Sequence, residues 1–123
     1  MNTHYGIIGQ RAPELTVAKW IDTEGRQREA LKLGDFADRF RVVYCFQSWC
    51  QGCHLYGFPA LKKMVDAFAG DERIVFVAIQ TVFEGHEVNT VEKITAAQNQ
   101  YKLKIPFGHD EGDVDSGTFA TTM

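Results

Sequence analysis

Two apolar, β-rich runs, 41–47 (RVVYCFQ) and 74–80 (IVFVAIQ), bracket a segment in which Leu55, Phe58, Leu61, Val65 and Phe68 recur every three or four residues. The runs have the composition of strands and the segment has the stripe of an amphipathic helix. A continuously apolar strand must be covered on both faces, as in a parallel sheet. Strand, helix, strand in this order predicts a right-handed βαβ unit. The helix is expected over about 51–69, with Gly70 at its C-terminal end. Pro59 lies inside it, removes one backbone bond and should kink it.

Elements of lower contrast surround this unit. Residues 1–13 read as a lead-in loop, 15–21 as a short strand, 22–25 as a turn, and a short helix falls within 31–40. After a loop at 83–89, Asn89 and Glu92 have capping-box spacing for a second helix running to about 102, with Val91, Ile94 and Tyr101 on its buried side. A short strand is expected at 105–108, followed by a polar tail. A chain of 123 residues in which 45% are hydrophobic suggests one globular domain over 1–123. The net charge of −3 offers no basic field for nucleic acid or an anionic membrane. No run of about 18 apolar residues is present to span a bilayer. Residues 1–10 lack the cationic start and apolar stretch of a signal peptide, so a cytoplasmic location is expected, although an exported parent that lost its leader would read the same.

At the joint between the first strand and the helix stands Trp49-Cys50-Gln51-Gly52-Cys53. Disulfide exchange proceeds by attack of a thiolate, and an ordinary thiol with a pKa of about 8.5 is mostly protonated at neutral pH. Unpaired amides and partial positive charge at a helix N-terminus stabilise a thiolate placed there. Cys50 takes that place. Cys53, one turn later on the same side, can resolve a mixed disulfide. Cys45, the third cysteine, reads as a buried packing residue. Three cysteines are too few, and of the wrong parity, for a secreted disulfide framework.

The segment VVYCFQSWCQGC resembles the active-site strand and helix start of thioredoxin-fold proteins. The lead-in Ile8-Gly-Gln-Arg-Ala-Pro13-Glu-Leu resembles the opening of the redoxin and TlpA-like branch, related to AhpC/TSA proteins. The resemblance covers roughly residues 8–110. It implies an α/β, thioredoxin-like fold with a mostly parallel central sheet flanked by helices. It implies thiol–disulfide exchange with protein or small-molecule thiols, Cys50 as nucleophile, Cys53 as resolver and Trp49 as a substrate-docking surface, with no cofactor or metal. Four departures stand out. Gln47 occupies the position where peroxiredoxins carry threonine or serine, so peroxidase activity is not expected. Tyr44 occupies the position of the buried carboxylate of thioredoxins. Gln51-Gly52 is the dipeptide of neither thioredoxins nor strong oxidants, so the direction of electron flow stays open. The family also places a cis-proline opposite the cysteines, ahead of a final hairpin and helix. Pro106 is either that residue or part of an inserted strand; the second is preferred, and the chain would then stop before the cis-proline. The active-site strand would become an exposed edge, prone to pair with a second copy.

Other chemistries share these residue types. Cys50-Gln51-Gly52-Cys53-His54 fits the covalent haem pattern, but haem proteins of that kind are mostly helical and a strand leads into this motif. His54 reads as a helix-surface residue. Cys45, Cys50, Cys53 and His54 have the ligand types of a zinc site, but alternation along the strand directs Cys45 away from the others. Asp110, Asp113 and Asp115 lack the glycine and terminal glutamate of a calcium loop. His86 reads as solvated and Trp20 as packing. A thioredoxin-fold domain without turnover, its cysteines forming a static disulfide or a redox sensor, is the alternative to an enzyme.

Overall fold

The computed structural model describes residues 8–36, 38–82 and 89–111. The strands are β1 (Lys19–Ile21), β2 (Gln27–Arg28), β3 (Phe40–Phe46), β4 (Ile74–Thr81) and β5 (Phe107–Asp110); the helices are α1 (Phe58–Ala67) and α2 (Glu92–Gln100). One five-stranded sheet has the order β2-β1-β5-β4-β3. β3, β4 and β5 are parallel, with Phe46 opposite Gln80 and Gln80 opposite His109. β1 runs antiparallel to β5 and to β2. The expected βαβ unit is β3-α1-β4, and α2 leads to β5.

The alternation of the strands divides the core. Phe46, Phe76, Ala78 and Phe107 face α1 and α2 and pack on Phe58, Leu61, Ile94 and Ala97. Val77 and Ile79 face the other way, against Leu15, Val17, Trp20, Leu31 and Phe36. That second face is covered by an extended N-terminal segment and a 3-10 turn, Leu33–Phe36, rather than by a long helix. β4 is thus covered on both sides, which is why its sequence is apolar without alternation.

Several expected boundaries move. The strand expected at 15–21 is regular only over its last three residues, because Leu15 and Val17 use their apolar side chains to roof the sheet. Trp20 is a packing residue, 2% exposed, with its indole N–H on the Val17 carbonyl at 2.7 Å. The strand at 41–47 is only half-buried, since β3 is the sheet edge and, among the described residues, pairs with β4 alone. Asn89 does not cap the second helix; Val91 does, with no side-chain bond. The last strand starts at Phe107, later than expected.

The active-site helix is interrupted as its proline requires. Pro59 has no N–H to meet a carbonyl one turn back, and the backbone over Cys53–Gly57 relaxes into a π-helical turn. The Phe58 N–H bonds the Cys53 carbonyl, and regular α-helix begins only there, with Pro59 in its first turn where proline is tolerated. Past the helix end, Gly70 turns the chain with φ 81°.

Candidate active site

The turn after β3 carries the motif into the helix. The Cys50 N–H bonds the Gln47 carbonyl at 3.1 Å, and helical backbone starts at Gln51. Both cysteines are reduced and half-buried. The Cys53 N–H points at the Cys50 sulfur from 3.3 Å. The Cys53 thiol donates to the same sulfur, and with the Cys53 and Gly52 amides this lowers the Cys50 pKa below its ordinary value. Cys53 moves the other way: burial first, then its bond to Cys50, raise it. The geometry makes Cys50 the more acidic thiol of the pair and Cys53 the less acidic one. Trp49 precedes Cys50 in the turn, 47% exposed, its indole N–H held by the Gln47 side chain at 2.9 Å.

Tyr44 reaches the motif from β3. Its hydroxyl donates to the Cys53 carbonyl at 3.1 Å, so that carbonyl serves both Tyr44 and the Phe58 amide. Burial, and next the neighbouring Cys53, raise the Tyr44 pKa further, so the group is a fixed phenol and not a proton acceptor at neutral pH. The phenol lies directly over Gly57, where a methyl group would collide with it.

Ser48 is held on every polar atom. Its N–H goes to Asn89 Oδ1 at 2.6 Å, its hydroxyl to Gln80 Oε1, and its carbonyl accepts from His54 Nε2 at 2.7 Å. His54 Nδ1 meets the Tyr101 hydroxyl, and Tyr101 stacks on Phe58 at 4.3 Å. His54 is therefore a brace between the turn and α2, not the surface residue that its place after the motif suggested. With both ring nitrogens engaged, it has none to offer haem iron or zinc. Among the described residues, no three His, Cys, Asp or Glu side chains are grouped to hold a metal ion.

Cys50, Cys53 and Trp49 are brought together by the turn. Cys45 is not: it lies back on β3, half-buried, its thiol pushed up to about 11 by burial and then by Asp110. Pro106 is followed by β5, which β4 separates from β3, and no peptide bond among the described residues is cis. Asp110 is buried at the end of β5; Asp113, Asp115 and His86 lie outside the described residues. Ser48, Gln80 and His109 were not singled out from sequence, and Asn89 was read there only as a helix cap. Their only sign there is polarity at the ends of apolar runs.

Comparison with known proteins identifies the family and the fold. The AhpC/TSA family model matches residues 8–119. The crystal structure of a thioredoxin-like superfamily protein superimposes with a TM-score of 0.72 at 30% identity, covering 91% of this chain and 71% of that one. A thiol-disulfide isomerase from Corynebacterium glutamicum gives 0.68 at 26% identity, over 85% of this chain and 66% of its own. No curated protein sequence matches. The reduced pair at a strand-to-helix joint, the parallel sheet behind it and a family match over nearly all of the sequence lead to one conclusion: the chain belongs to the AhpC/TSA family and has the thioredoxin-like fold of the thiol–disulfide oxidoreductases.

Proposed function

We propose that the protein is a thiol–disulfide oxidoreductase working through Cys50 and Cys53. The observation that carries this reading is the aim of both the Cys53 N–H and the Cys53 thiol at the Cys50 sulfur. The Cys50 thiolate attacks one sulfur of a substrate disulfide, that S–S bond breaks, and the other substrate sulfur leaves as a thiolate. Cys53 gives its proton to water or to that leaving group, then attacks Cys50. The mixed disulfide breaks, the substrate is released as a dithiol, and a Cys50–Cys53 disulfide remains. Oxidation of a substrate dithiol is the same path reversed.

Protein thiols are the substrates that the surface suits best. Trp49, Leu55 and Tyr56 expose 47%, 58% and 75% of their surface around the start of the helix, an apolar rim on which a polypeptide can lie. Small thiols need no such rim. A second copy docked along the β3 edge is the homodimer that this sheet would form. The chemistry needs no cofactor or metal.

The test is a titration in glutathione buffers, followed by alkylation of free thiols and intact mass. Two thiols should vanish together with one midpoint and map to Cys50 and Cys53. Cys50→Ser should abolish disulfide reduction, and Cys53→Ser should trap mixed disulfides. A Cys50→Ser variant with undiminished reductase activity would overturn the mechanism. A pair that never closes would overturn the oxidoreductase reading itself.

A further inference from the structure

The C-terminal ends of β3, β4 and β5 carry a line of polar side chains that dithiol exchange does not itself use. Gln80 is 0% exposed and His109 2%. Burying such groups costs free energy unless each polar atom finds a partner. Here they do, in a single arrangement. Gln80 Nε2 lies 2.9 Å from the Thr90 carbonyl and 2.8 Å from His109 Nδ1, and Oε1 receives the Ser48 hydroxyl. A backbone carbonyl can only accept, so the amide nitrogen must face Thr90. The second amide hydrogen then goes to His109 Nδ1, which must be bare. The ring proton sits on Nε2, 3.3 Å from Glu111 Oε1. Burial, against the opposing pull of Glu111, lowers the pKa of His109 and keeps it the neutral acceptor this arrangement requires. Flipping the amide would set its oxygen against the Thr90 oxygen and leave Ser48 without its acceptor.

We propose that Gln80 is a positioning residue for the nucleophile: acting through Ser48, it fixes the turn 47–50 so that the Cys50 sulfur sits on the Cys53 N–H. Ser48 precedes Cys50 by two residues, and its remaining polar atoms are already held by Asn89 and His54. The Gln80 bond is the one that joins the turn to the sheet strand β4. Without it the turn gains freedom, the Cys53 N–H loses its fixed aim, and Cys50 returns toward an ordinary thiol. The proposal takes its significance from the oxidoreductase reading, but its test does not depend on turnover.

The test is the rate of iodoacetamide labelling of the reduced full chain as a function of pH, resolved by cysteine in the mass spectrum. Gln80→Met keeps the length of the side chain and removes its hydrogen bonds. Ser48→Ala removes the same bond from the other end and serves if the core variant does not fold. In either variant, labelling of Cys50 at pH 7 should fall on the order of tenfold and its midpoint should move to higher pH. Cys45, half-buried with its raised thiol, should stay slow to label and so report that the fold is intact. Folded variants that label Cys50 with the wild-type rate and midpoint would overturn the proposal. Gln80-dependent labelling in a protein that reduces no disulfide would sustain it while the oxidoreductase reading failed; active protein with Gln80-independent labelling would do the reverse.

Discussion

Two cysteines five residues apart, Cys45 and Cys50, have thiols displaced in opposite directions, and what each side chain meets accounts for it. Cys50 has the Cys53 thiol and two amides on its sulfur. Cys45 has the sheet around it and Asp110 near it, and its pKa rises from 9.0 to about 11. A raised value means that folding favours the protonated thiol. That contribution is fully present below pH 9 and is lost as pH climbs through about 11. A rise of this size is worth up to roughly 3 kcal/mol. Urea unfolding of wild type and Cys45→Ala at pH 8 and pH 11 should show the wild type losing the greater stability, by up to that amount. Equal losses in both proteins would show that Cys45 carries none of the alkaline sensitivity. The sequence displayed the motif plainly, because the spacing and position of Cys50 and Cys53 are local. The opposing character of Cys45 was legible only as a packing preference. The role of His54 was hidden, because its partners Ser48 and Tyr101 come from a turn and from another helix.

At the scale of the element, the active-site helix shows how one proline shapes a site. The middle of the apolar stripe was readable from its period, since Phe58 and Leu61 are buried, but its ends Leu55 and Phe68 are exposed; a disturbance at Pro59 was readable too. The form of the disturbance was not, since a kink, a bulge or a late helix start would all satisfy a missing N–H. The chain takes a π turn inside the helix, which leaves the Cys53 carbonyl shared between Phe58 and Tyr44. Gly57 is the residue that allows this. Gly57→Ala should displace the Tyr44 ring and cost about 1–3 kcal/mol, as overpacking does. Tyr44→Phe keeps the ring and loses one hydrogen bond, a cost of about 1 kcal/mol. Thermal or urea unfolding should rank the two in that order. A Gly57→Ala variant as stable as wild type would mean that the phenol does not need its place over the backbone.

For the molecule as a whole, the class and the order of strand, helix and strand were legible, because runs such as 74–80 state their burial in their composition. The sheet order was not. No local pattern says that β5 lies between β1 and β4, and Asn89, read as a helix cap, binds the Ser48 amide because the sheet brings the two together. The order leaves β3 at an edge, with Phe40 69% exposed and Val42 and Val43 half-buried. An edge strand of seven residues, apolar except for Arg41, is a template for pairing. Sedimentation should show concentration-dependent association of wild type, and Val43→Lys should weaken it by placing a charge on the strand. A wild type that stays monomeric at high concentration would remove the homodimer from the reading.

The pairing of β5 with β1 has a consequence in time. Lys19 lies opposite His109, so the middle of the sheet joins segments from nearly the two ends of the described chain. Contacts so distant in sequence close late in folding, after the loop entropy between them has been overcome. During synthesis, Cys50 and Cys53 leave the ribosome well before His109 does. Until β5 docks, β4 has an open side and Gln80 has water where the imidazole should be. On the positioning proposed above, Cys50 of a nascent or half-folded chain is then an ordinary thiol, slow to exchange with whatever disulfides surround it. On that same proposal Cys50 becomes reactive only with the arrival of the last described strand, and the finished fold licenses its own chemistry.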